Sequence, residues 1–306
     1  MNKKGKVFTL TPIFVPFLVG ILLLLLVVSG KMLVSSGNAD IPISEKLLRF
    51  SVVQIIVYLL PCIVYYFLKG RKLNTPFMIS PIGRGNLLFI FASSFMLLSG
   101  NLLIKYIYYI TSSIQPTGVD YIVSDLTAIT GVSPLLIIIA LALVPAVCEE
   151  FFFRGLVLSE YKIYGTFNSV VFSALCFSMI HFSVEAFPLY FFSGMMLGMT
   201  VAVTKSVFVS VTIHFISNVL SIYLSDSFMR VSVQKSGKFF MLFIIATLFL
   251  VSTVFVAAAT ERIFYRRADK NEERPNVKSI ENIAPVFLSP GFFGLVLIFI
   301  LIIIFS

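Results

Sequence analysis

Glu149, Glu150 and Arg154 lie in one strongly apolar stretch of this chain, His181 in a second, and His214 and Asn218 in a third. His181 and His214 are its only histidines in 306 residues. An ionisable group inside a membrane costs roughly +2.5 to +3.5 kcal/mol even on a lenient insertion scale, so it is kept where it pairs or works. Two carboxylates, a guanidinium, two imidazoles and an amide converging from three apolar segments would make one polar site. Such a site can accept, hold and return a proton, which is the requirement for activating water.

The spacing inside each stretch assigns roles. On a helix Glu150 and Arg154 are four apart, share a face and neutralise each other. Glu149 is turned about 100° away and is left over as a general base or acid. A competing reading makes this a helix end whose charges snorkel to the interface. Against it, Phe151, Phe152, Phe153, Leu156 and Val157 continue the apolar run. Phe177 and His181 are four apart, which places them on one helical face; taken alone, a histidine there is more often interfacial or a satisfied buried residue. His214 and Asn218 are also one turn apart, and an imidazole and an amide at mid-membrane need partners. They could act as glue between helices, a reading that weakens when both face one way and another helix brings two glutamates. Gly194 and Gly198, four apart, read as close packing that brings the His181 and His214 helices together. Cys62, Cys148 and Cys176 are odd in number and widely spaced, and read as small packing residues rather than disulfides or a metal cluster. Cys148 adjoins Glu149, but nothing in the sequence marks its thiol as an activated nucleophile.

The elements that must carry these residues are membrane helices. The chain is 58% hydrophobic and 12% charged, where a soluble domain is about a quarter charged. Runs long enough to cross a bilayer, about 20 residues each, lie near 11–34, 47–68, 86–110, 133–158 and 238–264, with shorter runs near 167–182, 186–204 and 206–224 and a last run over 285–306. This predicts an all-α polytopic integral membrane protein of eight to nine transmembrane helices with a polar site inside the bundle. Lys3, Lys4 and Lys6 precede an apolar run from Ile13 to Val28 with small residues near Ala39, but the run is long for a signal core and more spans follow, so a retained helix is expected. The net charge of +9 reflects basic loops rather than a nucleic-acid partner. With nine spans and the N-terminus in the cytoplasm, 15 of the 23 basic residues fall inside, among them Lys162, Lys205 and Arg266, and seven outside; this bias favours that orientation. The loop from about 111 to 132, with Asp120 and Asp125 and no base, suits the outer face. The loop near 265–284, mixed in charge, is read as a solvated cytoplasmic linker. No internal repeat is visible.

The ordered motifs Glu149-Glu150…Arg154, Phe177…His181 and His214…Asn218 resemble those of the CPBP family of intramembrane proteases, which includes the type II CAAX prenyl endopeptidases and bacteriocin-processing and self-immunity proteins. The resemblance covers roughly 133–222. One departure is Lys205 before Ser206, where many relatives have a glycine. The resemblance implies a protease-like core over 133–224, flanked by helices over 1–132 and 225–306, with a water-filled cavity open to one side of the membrane. It implies Glu149, His181, His214 and Asn218 as catalytic residues and Glu150 and Arg154 as a supporting pair. The substrate would be a membrane-associated or exported peptide or protein, and the site would lie in the plasma membrane if the source is bacterial. No cofactor is favoured; the alternative is zinc held by Glu149, His181 and His214, although the compact His-Glu-x-x-His helix is absent. Two other classes compete. A non-catalytic immunity or scaffold protein would keep the fold and lose the chemistry. A proton-coupled transporter would also bury Glu and His, but would more often show two-fold internal repeats.

Overall fold

The computed structural model describes residues 11–35, 42–68, 78, 80–111, 132–233, 238–268 and 286–305. The described residues form helices α1 (Thr11–Ser35), α2 (Ile43–Leu68), α3 (Leu87–Thr111), α4 (Pro134–Tyr164), α5 (Thr166–Met179), α6 (Phe187–Thr204), α7 (Val207–Val233), α8 (Lys238–Ala268) and α9 (Pro290–Phe305), with no strand among them. By length and composition, six of these (α2, α3, α4, α6, α7 and α8) can cross a membrane, and α1, α5 and α9 contain shorter apolar stretches. In a bilayer core each backbone polar group must find its partner within the protein, and a helix provides this within one segment. The protein is therefore an all-α polytopic membrane protein, as its composition predicts.

The helices follow the apolar runs, with four adjustments. α4 continues past 158 to Tyr164, and α7 past 224 to Val233. α8 reaches Ala268, so residues 265–268 are its last turn rather than loop. The fourth adjustment concerns α5, which stops at Met179. His181 lies in the turn beyond and not on the helical face that its spacing from Phe177 implied. Residues 269–285, Lys3, Lys4, Lys6, Ala39, Asp120 and Asp125 lie outside the described residues.

The central element is α4, which packs against α2, α5 and α7. It begins with Pro134 in its first turn, where a missing N–H costs nothing. It also contains Pro145, and a π-helical stretch, Ile139–Leu143, precedes it. A proline inside a helix removes one hydrogen bond and crowds the carbonyl four residues back, and a wider turn accommodates that. A second π stretch covers Phe151–Leu158; wide turns of this kind concentrate at functional sites. Phe152, Phe153, Tyr161, Phe172 and Phe177 pack between α4 and α5, with Tyr161 and Phe172 stacked at 3.9 Å. A second cluster joins Leu97 of α3, Leu197 of α6, Ile213 of α7 and Ala259 of α8. Phe239, Phe243, Leu250 and Val254 of α8 are exposed, and such a row of apolar residues belongs against lipid.

The loop before α3 is tied to one end of this bundle. The Val207 N–H donates to the Met78 carbonyl at 2.8 Å, and the Ser206 hydroxyl to the Ser80 carbonyl at 2.5 Å. Lys162 Nζ is 3.9 Å from Met78 Sδ, and the Arg266 guanidinium lies against Gly85. Lys162, the Lys205–Ser206 turn and Arg266 thus share one end, as a single set of basic loops on one side of the membrane requires.

Candidate active site

The two glutamates of α4 are adjacent in sequence and meet different surroundings. Glu150 is fully buried, and its carboxylate accepts three hydrogen bonds. Arg154 Nη1 donates to Oε1 at 2.9 Å, His214 Nδ1 stands 2.9 Å from the same oxygen, and the Ser210 hydroxyl donates to Oε2 at 2.6 Å. Because an ionised carboxylate only accepts, Nδ1 of His214 carries its proton toward Glu150. The other ring nitrogen, Nε2, then faces Glu149, whose Oε2 is 4.0 Å away.

Arg154 is itself fully buried. Its Nη2 donates to the Gly194 carbonyl of α6 at 3.1 Å, and its Cζ lies 4.6 Å from the centroid of the Phe177 ring. The guanidinium therefore joins three helices: Glu150 on its own α4, a backbone carbonyl on α6 and an aromatic face on α5. The reach to α6 depends on Gly194. A β-carbon there would come 2.9 Å from the Ala174 Cα, so only glycine lets the two backbones lie this close. At Gly198 the nearest atom is a side-chain methyl of Val170, at 3.0 Å.

Glu149 faces a cavity of about 390 Å³, which is also lined by His181, His214 and Asn218. The structure thus brings together all four residues read as catalytic from the sequence. Other polar groups on the wall include Tyr58, Asn101, Tyr190, Ser193 and Ser217, and the charged Lys105 and Glu185 also line it. The Ser193 hydroxyl donates to Asn101 at 3.0 Å, tying α6 to α3. Phe177 meets both imidazoles edge-on, at 5.2 Å from His181 and 6.0 Å from His214. The His181 ring stacks on Tyr190 at 3.4 Å, and its Nε2 has no hydrogen-bond partner among the described residues. Cys148 does not line the cavity; it packs against the aromatic core beside Cys62, and all three cysteines are free thiols.

Zinc, the alternative cofactor, would need Glu149, His181 and His214 as ligands. Among the described residues no group of three His, Cys, Asp or Glu side chains is placed to hold a metal ion.

Three contributors were not among those singled out in the sequence for the roles they have here. Ser210 lies one turn before His214, a spacing that could have been noticed. The Gly194 carbonyl could not, because a sequence shows a glycine's size and not its carbonyl's target. Tyr190 follows no spacing rule relative to His181, since a turn separates them.

Residues 131–220 match the family model described as Rce1-like, type II CAAX prenyl endopeptidase. These residues are similar to that family. All three motifs lie inside that match, and the family so described is one of peptidases. No curated protein and no solved structure matches the chain. Within the matched residues, α4 supplies both glutamates and Arg154, the turn after α5 supplies His181, and α7 supplies His214 and Asn218.

Proposed function

We propose that this chain is an intramembrane endopeptidase that hydrolyses a peptide bond of a membrane-associated or exported peptide with water activated by Glu149. The observation that carries the reading is the division of labour between the two glutamates. Glu150 is closed off by three donors, whereas Glu149 opens onto a cavity whose wall also holds both histidines and Asn218. The 4.0 Å between Glu149 and His214 Nε2 is too long for a direct hydrogen bond. A water that bridges two such atoms at about 2.8 Å each fits a gap of this size.

In the proposed reaction Glu149 takes a proton as the water oxygen bonds to the scissile carbonyl carbon. Asn218 donates to the developing oxyanion, and His214 accepts from the attacking water through Nε2. When the C–N bond breaks, the proton held by Glu149 passes to the leaving amine nitrogen, and acid and amine ends separate. His181 orients the water. Glu150 and Arg154 hold His214 and α4 in place. The chemistry uses these side chains without a resident metal. The substrate lies in or at the lipid bilayer. Orientation follows the charge tally: the N-terminus and the segment after α8 are cytoplasmic, in the plasma membrane if the source is bacterial. Cysteines placed at Lys4 and Asn271 are then labelled in intact cells only by a membrane-permeant reagent, and labelling of Asn271→Cys by an impermeant one means that the span count is off by one.

The test compares membrane and exported peptides from cells expressing the wild-type chain with those from cells expressing Glu149→Gln. New termini present only with the wild type identify substrates, and a peptide so found gives a purified assay. A chelator should leave turnover in that assay unchanged. Identical termini in the two strains, with both proteins inserted and folded, would falsify the endopeptidase.

A further inference from the structure

The two histidines are held by different means. His214 is on a helix and its ring is fixed by a hydrogen bond to Glu150 at 2.9 Å. His181 is past the end of α5, where helix geometry no longer restricts the side chain. Its N–H bonds the Ser178 carbonyl at 3.3 Å, and the next residue, Phe182, adopts a left-handed conformation with φ 49°. No carboxylate or carbonyl among the described residues bonds its Nε2. Two rings enclose it instead. Phe177 of α5 meets it edge-on with an interplanar angle of 69°, and Tyr190 of α6 lies parallel to it at 3.4 Å and 2°.

We propose that Tyr190 is a positioning residue for this site: its ring, stacked face to face on His181, sets the plane of that imidazole at the cavity wall. The proposal rests on the endopeptidase reading above. A histidine that orients water is normally fixed by a hydrogen bond on its second nitrogen; here a flat aromatic surface takes over part of that work. The surface comes from α6, the same helix whose Gly194 carbonyl receives Arg154. The seating of α6 on α5 therefore governs the positions of both Arg154 and His181. The stack itself requires a planar ring at position 190.

The experiment uses full-length protein in detergent micelles with isotope-labelled histidine, read by NMR. With only two histidines in the chain, a His214→Gln sample assigns the ring signals. The carbon-bound ring protons of His181 should be shifted upfield by the Tyr190 ring current. Tyr190→Phe should keep that shift and the activity, and Tyr190→Leu should lose both. On a peptide found through its Glu149-dependent cleavage, kcat of the Leu variant should fall on the order of 100-fold, the scale for a misplaced catalytic group, with KM little changed. A folded Leu variant that retains the shift overturns the proposal, as does one that loses the shift and keeps full kcat. If the Leu variant does not fold, the Phe variant decides: loss of the shift or of kcat there overturns the proposal. Shifts that follow the stack while no peptide shows Glu149-dependent cleavage would sink the endopeptidase reading, and with it the catalytic role of Tyr190, but not the contact.

Discussion

The two sides of α4 at the Glu149–Glu150 step show how one helix separates holding from reacting. On the Glu150 side every element closes in: α7 brings His214 and Ser210, α6 brings a carbonyl to Arg154, and α5 covers the guanidinium with Phe177. The region is buried, and its charges are balanced by short hydrogen bonds. On the Glu149 side the same helices stop short and leave a cavity. A buried carboxylate whose bonds are all made is part of the structure. A neighbouring one with open bonding capacity and a 4.0 Å gap to an imidazole is available to a ligand or a water. The difference arises from a rotation of one residue along the helix, about 100°.

Glu149→Gln should give the largest effect, and only on chemistry. It keeps size and polarity and removes the base, so hydrolysis should fall by about 10²–10⁴-fold, the usual contribution of a general base. Thermal unfolding in micelles should hardly change. His181→Ala and His214→Ala should each lose most activity. Cys148→Ala, away from the cavity, should lose none. A folded Cys148→Ala without activity would move the nucleophile to the thiol and break the comparison.

Arg154→Ala should act on the other side and in the other currency. It strands the fully buried Glu150 carboxylate, and breaking a buried pair of this kind costs about 3–5 kcal/mol. Unfolding should therefore occur at a markedly lower temperature, with activity lost through displacement of His214. Equal thermal stability of Arg154→Ala and Glu149→Gln would show that the two sides are not divided as described. A smaller effect is expected at Gly194→Ala. The added methyl meets the Ala174 backbone, which cannot move independently, and overpacking of this kind costs about 1–3 kcal/mol. Gly198→Ala should cost less, because the Val170 side chain it meets can shift. If the two alanine variants unfold alike, α6 does not depend on a close approach at Gly194.

Much of this was legible in the sequence because buried charge is so costly in a membrane that it needs a reason. Burial cost and helical spacing together indicated the Glu150–Arg154 pair and the leftover Glu149, and the run lengths indicated the helices. Other features were not legible. The face shared by Phe177 and His181 presumed a helix that ends at Met179, and periodicity does not report where a short apolar helix stops. The bond from His214 to Glu150 was not foreseen, since His214 was grouped with Glu149 among the catalytic residues and Glu150 was paired with Arg154 alone. Choosing between adjacent glutamates requires the rotation of α7 against α4, a tertiary quantity. The Tyr190 stack crosses a turn, where no period applies.

The smallest effect concerns Lys205, at the end of the helix that carries Tyr190 and Gly194. There the resemblance predicted a glycine, and the sequence has a lysine. The structure gives the physical sense of that departure. Lys205 closes α6 in a left-handed conformation, φ 53° and ψ 31°, with its N–H on the Val201 carbonyl at 2.8 Å. Helices commonly end this way on glycine, because a β-carbon in that conformation costs about 1–2 kcal/mol. The lysine therefore keeps the turn under strain. Lys205→Gly should relieve it, less the roughly 0.4–1 kcal/mol by which a glycine favours the unfolded chain. The net gain should be about 1 kcal/mol, seen as a modest rise in unfolding temperature with turnover unchanged. Lys205→Ala is the control, since it removes the charge and the long side chain but keeps the β-carbon. It should give no such rise. If alanine stabilises as much as glycine does, the cost at this position comes from the lysine side chain and not from the backbone, and the turn is not strained.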